Sequence, residues 1–163
     1  MKHPVKLPKR LEMIAGLVEN GASVADIGTD HGLLPAYLAQ NGLVRRIVAS
    51  DASAGSLGAA RRTAEKFGLT EKIEFVTAPG LSGVSETDVD TVIIAGMGGE
   101  TIVSILEEAS WTKNGIRFIL QPQTKMAVLC GFLTENGYDI RDMKTAMDRG
   151  REYTIILCER QDR

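Results

Sequence analysis

Little in this chain commits it to a membrane, a metal or a disulfide framework. Its two cysteines, Cys130 and Cys158, lie far apart in apolar segments, with no C-x-x-C and no paired metal spacing, so both read as reduced core thiols. No apolar run approaches the roughly 18 residues that span a bilayer. The first residues carry Lys2, Lys6, Lys9 and Arg10 and lack the apolar core of a leader, so a cytoplasmic protein with no membrane partner is expected. Neither sign of charge dominates: 19 Lys and Arg stand against 21 Asp and Glu. Contact with a nucleic acid therefore has to come from a local basic patch or from a segment outside these residues. Aromatic residues make up 5% of the chain, and none stands out as a stacking partner for a base. Repeats and low-complexity tracts are absent, and 163 residues suit one domain with a substantial core.

What the chain does have is glycine in particular places. Ser23-Val24-Ala25-Asp26-Ile27-Gly28-Thr29-Asp30-His31-Gly32-Leu33-Leu34 reads as a buried strand, a glycine turn and a helix. Glycines there let the backbone approach a ligand, with N–H groups of the turn expected to point outward. The spacing Asp26-x-Gly28-x-x-x-Gly32 departs from the dinucleotide fingerprint, because a carboxylate stands where that fingerprint has its first glycine. A carboxylate repels a pyrophosphate and suits an ammonium or sulfonium group. The common ligand of that kind on a Rossmann-like sheet is S-adenosylmethionine. The competing reading is a strand, turn and helix that use glycine only for packing.

Taken in order, residues 7 to 20 carry Leu11, Ile14, Leu17 and Val18 at helical spacing, and Asn20-Gly21 stops the helix. The basic residues 2 to 10 are either phosphate contacts or a solvated arm. A helix over 33 to 41 turns Leu34, Tyr37 and Leu38 to the sheet. A strand over 45 to 50 ends at Asp51, which in a parallel sheet lies beside the first turn and can accept from two ribose hydroxyls. Its competing role is to cap the helix over 54 to 67. A third strand over 72 to 77 leads into Ala78-Pro79-Gly80-Leu81. The fourth, over 90 to 95, runs into Gly96-Met97-Gly98-Gly99, where Met97 reads as a pocket wall, and a helix with Ile102, Ile105, Leu106 and Ala109 on one face follows. A fifth strand over 116 to 120 meets Gln121-Pro122-Gln123, before a helix over 125 to 136 that packs Val128, Leu129, Phe132 and Leu133. Strands over 138 to 147 and 152 to 159 are joined by so short a turn that they must be antiparallel. Five alternating βα units and a closing hairpin predict a Rossmann-like α/β domain: a seven-stranded, mostly parallel sheet with a terminal antiparallel hairpin and helices on both faces. The ends of its first and fourth strands flank the switch point where ligands bind.

The first of these blocks resembles the opening motif D/E-x-G-x-x-x-G of the class I methyltransferases. Together, Ala25 to Pro35, Val92-Ile93-Ile94-Ala95-Gly96-Met97-Gly98-Gly99 and Ile119-Leu120-Gln121-Pro122 resemble the bacterial tRNA (adenine(22)-N1)-methyltransferases over nearly the whole chain. The resemblance implies methyl transfer from S-adenosylmethionine to N1 of an adenine in the D-arm region of tRNA. It implies cofactor contacts from Asp26, Gly28, Thr29, His31, Gly32, Asp51, Ala52, Gly80, Ala95, Gly96 and Met97, and substrate contacts from Gly98, Gly99, Gln121 and Pro122. Family members continue into a C-terminal helical, coiled-coil-like segment. The present residues form one catalytic domain with a short N-terminal helix and stop before that segment.

Adenine N1 already carries a lone pair, so positioning dominates its methylation. The product is cationic, and a carboxylate near the Watson–Crick edge stabilises that charge and can take a proton from the exocyclic amine. Asp30 is the candidate; its competing role is a helix cap. Amine-directed methyltransferases carry Asn/Asp-Pro-Pro-aromatic where this chain has Gly96-Met97-Gly98-Gly99, which fits a ring nitrogen better than an exocyclic amine. A base in folded tRNA has to be flipped out, and Gln121 is placed to read its edge. Three other readings stand: a small-molecule methyltransferase, which needs a lid; a nicotinamide-dependent oxidoreductase, which Asp26 argues against; and a non-catalytic S-adenosylmethionine- or RNA-binding module.

Overall fold

The computed structural model describes residues 3–85, 88–109 and 115–160. Its elements are α1 (Lys9–Gly16), β1 (Ala22–Ile27), α2 (Leu33–Gln40), β2 (Val44–Asp51), α3 (Ala54–Lys66), β3 (Glu74–Thr77), β4 (Thr91–Met97), α4 (Gly99–Glu108), β5 (Arg117–Pro122), α5 (Met126–Glu135), β6 (Tyr138–Asp148) and β7 (Arg151–Arg160). The seven strands form one sheet in the order β3-β2-β1-β4-β5-β7-β6. The first five are parallel, and β7 is antiparallel to both β5 and β6. This is the Rossmann-like methyltransferase fold that the strand pattern predicts.

Both faces of the sheet are covered, so the central strands bury residues of either parity. Along β4, Val92 and Ile94 enter one core with Phe118, Leu120, Ile156 and the α4–α5 residues Ile102, Leu106, Leu129 and Leu133. Ile93 enters the other, with Val24, Ile119, Ile155 and residues of α1, α2 and α3. Every residue of β1 is buried, which explains why an apolar run bearing one carboxylate can serve as the central strand.

Several boundaries differ from expectation. Helix α1 stops at Gly16, and Leu17 and Val18 follow in tightened turns that bond back to Ile14 and Ala15. Both still pack on the core, so their periodic apolar character reports burial without helix. Lys72 belongs to a 3₁₀ turn over Thr70–Lys72, and β3 begins only at Glu74. No helix follows β3 among the described residues: the loop after it supplies Leu81, Val84 and Val89 to the core in a helix's place. Among the described residues there are therefore four βα units where five were expected. Strand β4 runs on to Met97, and β5 to Pro122. Ala109 lies just beyond α4, and Val128 of α5 is 46% exposed while Leu129 and Leu133 are fully buried. Among the described residues, no helix is long and apolar enough to cross a membrane.

Candidate active site

The carboxyl ends of β1, β2 and β4 meet on one edge of the sheet and open into a cavity of about 650 Å³. Its floor is the turn after β1. There the backbone is already self-satisfied: Gly28 and Thr29 both donate to the Ser50 carbonyl, at 2.9 and 3.0 Å, Gly32 donates to the Thr29 carbonyl, and Asp30 donates to Oδ2 of Asp51 at 3.1 Å. The amides expected to point outward are therefore spent on tying the turn to β2. Such a turn is no phosphate cradle, and what it offers a ligand is carboxylates.

Asp26, Asp51 and Asp30 all line the cavity, at decreasing depth. Asp26 is 5% exposed, and Thr29 Oγ1 donates to its Oδ2 at 3.0 Å. Burial pushes its pKa up to about 7; the Thr29 hydroxyl and the charge of Arg10 pull against that rise, and Asp51 adds to it. Asp26 is a desolvated acceptor short of a cation. Asp51 is half-buried and accepts from Asp30 N–H through one oxygen and from Ser53 N–H, at 2.9 Å, through the other. The N-cap of α3 is Ser53, whose hydroxyl accepts from Ser56 N–H, so Asp51 is not the cap. Each Asp51 oxygen keeps a lone pair for a further donor.

Asp30 occupies a left-handed conformation, φ 56°, and its side chain is 74% exposed. It does not cap α2, whose N-cap is Gly32 with no side-chain hydrogen bond, which disposes of the competing reading. The neighbour of its carboxylate is His31, with Nε2 3.9 Å from Oδ1.

The second wall comes from the turn after β4. Gly96, φ 79°, lies at a register shift between Ala95 and Met97, and its N–H donates to Gln121 Oε1 at 3.0 Å. Ala95, Gly96 and Met97 line the cavity. Met97 lies against Gly28 so closely that a Cβ on Gly28 would come 2.3 Å from its Cε. Glycine is favoured at 28 by its φ of 71°, while the Met97 methyl, at the end of a flexible side chain, can move aside.

Other expected residues lie elsewhere. Gln121 is fully buried, its Oε1 shared by Gly96 N–H and an Arg10 guanidinium N–H at 2.8 Å, while its Nε2 donates to the Pro122 carbonyl. It braces the site from behind and cannot read a base edge. Pro122 is buried too. Gly99 packs on backbone: a Cβ there would come 2.3 Å from the Lys125 carbonyl oxygen. Gly98 sits against Thr124, and Gly32, at φ 71°, sits against Ala60 of α3, so each has a packing reason to be small. Ala52 and Gly80 are not among the residues that line the cavity, and Leu81 beside Gly80 is in the core.

Sequence reasoning missed the remainder of the wall. Pro8, Arg10 and Leu11 from the start of α1, Gln123 after β5, and Asp148, Arg149 and Tyr153 from the β6–β7 hairpin all face the same cavity. The basic character of residues 2 to 10 was the one signal for Arg10.

The site can thus hold a cation at its floor and a diol beside it, with a free carboxylate at its rim. S-adenosylmethionine fits that set: its ammonium and sulfonium suit a buried carboxylate, and its ribose suits Asp51. The profile of a methyltransferase domain matches residues 7–156. The tRNA (adenine(22)-N(1))-methyltransferase of Bacillus subtilis is 34% identical over 98% of this chain and 67% of its own length. A Streptococcus pneumoniae protein solved in complex with S-adenosyl-L-methionine superposes with a TM-score of 0.90 at 35% identity, over 97% of this chain and 75% of that one. A Mycoplasma capricolum relative solved with S-adenosyl-homocysteine gives 0.85 at 31% identity, over 96% and 70%. By sequence, fold and the chemistry of its crevice, this chain belongs to the S-adenosylmethionine-dependent tRNA (adenine(22)-N(1))-methyltransferase family.

Proposed function

We propose that this chain methylates N1 of adenine 22 in tRNA, using the β1–β2–β4 crevice for the cofactor and the rim beside Asp30 for the base. The observation that carries the reading is the set of three carboxylates facing one cavity at three depths. Asp26 at the floor supplies negative charge to the amino-acid end of the cofactor, and Asp51 accepts from the ribose hydroxyls. S-adenosylmethionine, when bound, supplies an electrophilic methyl whose transfer breaks a carbon–sulfur bond, forms the N1–carbon bond and leaves the positive charge on the adenine. Asp30 faces that charge from the rim and lowers the cost of its development. No residue has to remove a proton before attack, because N1 presents a lone pair, so the work of the chain is alignment.

Arg10 belongs to this reading as well. Its guanidinium is held by Gln121 and acts on Asp26, so carboxylate and guanidinium together complement the zwitterionic end of the cofactor.

Radiolabelled methyl transfer to tRNA, with nuclease digestion to locate the product, tests the reading. Asp30→Ala is expected to lower kcat by about 10²- to 10³-fold, with S-adenosylhomocysteine affinity by calorimetry unchanged. An unaltered rate in that variant overturns the role of Asp30. Absence of transfer by wild-type protein that binds the cofactor overturns the tRNA assignment.

A further inference from the structure

The far wall of the cavity holds groups that the cofactor reading does not use. Gln123, directly after β5, lines the cavity, and its Oε1 is buried with no hydrogen-bond partner. A buried acceptor without a donor is costly, and it points to a donor absent from the free protein. Its backbone is fixed, since Gln123 N–H donates to the Met97 carbonyl at 2.7 Å. The backbone that carries the side chain is thereby tied to the same β4 exit that carries Gly96 and Met97.

Tyr153 lines the same cavity from the β6–β7 hairpin. β5 pairs with β7 only as far as Leu120↔Ile156, whereas β6 and β7 continue for five further pairs, from Lys144↔Ile155 to Asp148↔Arg151. The hairpin thus overhangs the end of the sheet, and Tyr153, opposite Ala146, lies in the overhang. Arg10 and Arg151 flank its ring at 5.8 and 5.7 Å from the centroid, the outer limit of cation–π contact. Arg10 is tethered to Gln121, whereas Arg151 is exposed on the overhang with Arg149 beside it. An aromatic ring among guanidiniums is what a base and its phosphates call for.

We propose that Gln123 and Tyr153 form the seat of the target adenine: the Gln123 amide pairs with N6 and N7, and the Tyr153 ring stacks on the base. A side-chain amide reads adenine bidentately through the N6 donor and the N7 acceptor. That edge leaves N1 uncovered, which a methyl transfer to N1 requires, and a turn of the Gln123 side chain into the cavity gives Oε1, sealed and unpartnered in the free protein, the donor it lacks. The role expected of Gln121 thus passes two residues on, to the first glutamine whose side chain reaches the cavity. This inference rests on the adenine-N1 reading above.

The test compares kcat/KM on tRNA transcripts carrying adenine or 7-deazaadenine at position 22, with S-adenosylhomocysteine calorimetry on every variant. Gln123→Ala is expected to lower kcat/KM on adenine by about 10- to 100-fold and to erase the wild-type preference for adenine over the 7-deaza base. Tyr153→Ala is expected to cost about 5- to 100-fold and Tyr153→Phe less than about 3-fold, because the ring does the stacking. Cofactor affinity stays within about 2-fold throughout. Persistence of the adenine preference in Gln123→Ala, or a Phe variant as damaged as the Ala variant, overturns the seat. Loss of S-adenosylhomocysteine binding in either alanine variant assigns the residues to the cofactor instead. Wild-type protein that binds cofactor and leaves N1 of adenine 22 unmethylated removes the parent reading and this one together; an active wild type with insensitive variants removes this one alone.

Discussion

The two halves of the cavity are built in opposite ways. The β1–β2 half draws Asp26, Gly28, Asp30 and Asp51 from one βαβ unit, and its turn is closed by local hydrogen bonds to Ser50 and Asp51. The other half is assembled from α1, the strand exits of β4 and β5, and the β6–β7 hairpin, with Gln121 bridging to Arg10 across 111 residues of chain. The local half holds its shape from its own backbone. The assembled half is held by contacts between distant segments, among them the one buried side chain that joins α1 to the β4 exit.

Cutting that bridge should produce the largest effect. Gln121→Leu keeps the volume but strips the acceptor from both Gly96 N–H and Arg10. A loss of roughly 1–3 kcal/mol in unfolding free energy is expected from urea denaturation, since the hydrogen bonds from half-buried Arg10, from the Gly96 N–H and to the Pro122 carbonyl are worth about 0.5–1.5 kcal/mol each. An undiminished midpoint would mean that the assembled half does not rest on this bridge.

Next in size is Asp26→Asn, which acts on the local half. It should weaken S-adenosylhomocysteine binding roughly 10- to 100-fold by calorimetry, the worth of a charge-assisted contact. It also carries a pH signature. The native pKa is raised from 3.8 to about 7, so the folded protein holds a proton that the unfolded chain has released. The contribution of Asp26 to stability is therefore fully present below about 4 and is lost as pH rises through about 7. Denaturation of wild type and variant at pH 5 and pH 8 should show the wild type losing stability relative to Asp26→Asn at the higher pH; parallel curves would refute the desolvated carboxylate.

The smallest change in stability is expected for Asp30→Gly, within about 0.5 kcal/mol. Relief of the left-handed backbone is offset by the extra freedom of glycine in the unfolded chain. Methyl transfer should nonetheless fall. Thermal unfolding alongside single-turnover rates separates the two, and a proportionate loss of both would make Asp30 structural.

The same contrast explains what could be read from the sequence. Strand, turn and helix around Asp26-x-Gly28-x-x-x-Gly32 are set by neighbours in the chain, so their order and the place of Asp51 follow from pattern alone. Gln121 was assigned to the wrong task because a polar residue at a strand end looks the same whether it faces a cavity or a buried brace. Its partner Arg10 lies on a distant element, and nothing in a periodicity reports that distance. Tyr153 escaped notice for a related reason: within an alternating strand it reads as one more β-forming residue, and only the overhang makes it a wall. The early end of α1 has its own cause: apolar spacing records which side chains are buried, and Leu17 and Val18 pack on the core from irregular backbone.

The overhanging hairpin is anchored at its root by β5 and propped beyond it by α1, in the manner of a bracket. Because only its lower pairs are shared with β5, residues near the tip can be exchanged without disturbing the ladder that supports the cofactor crevice. In the proposed seat the base meets this overhang through Tyr153, whereas the carboxylates proposed for the cofactor stand on β1 and β2, with β4 and β5 between them.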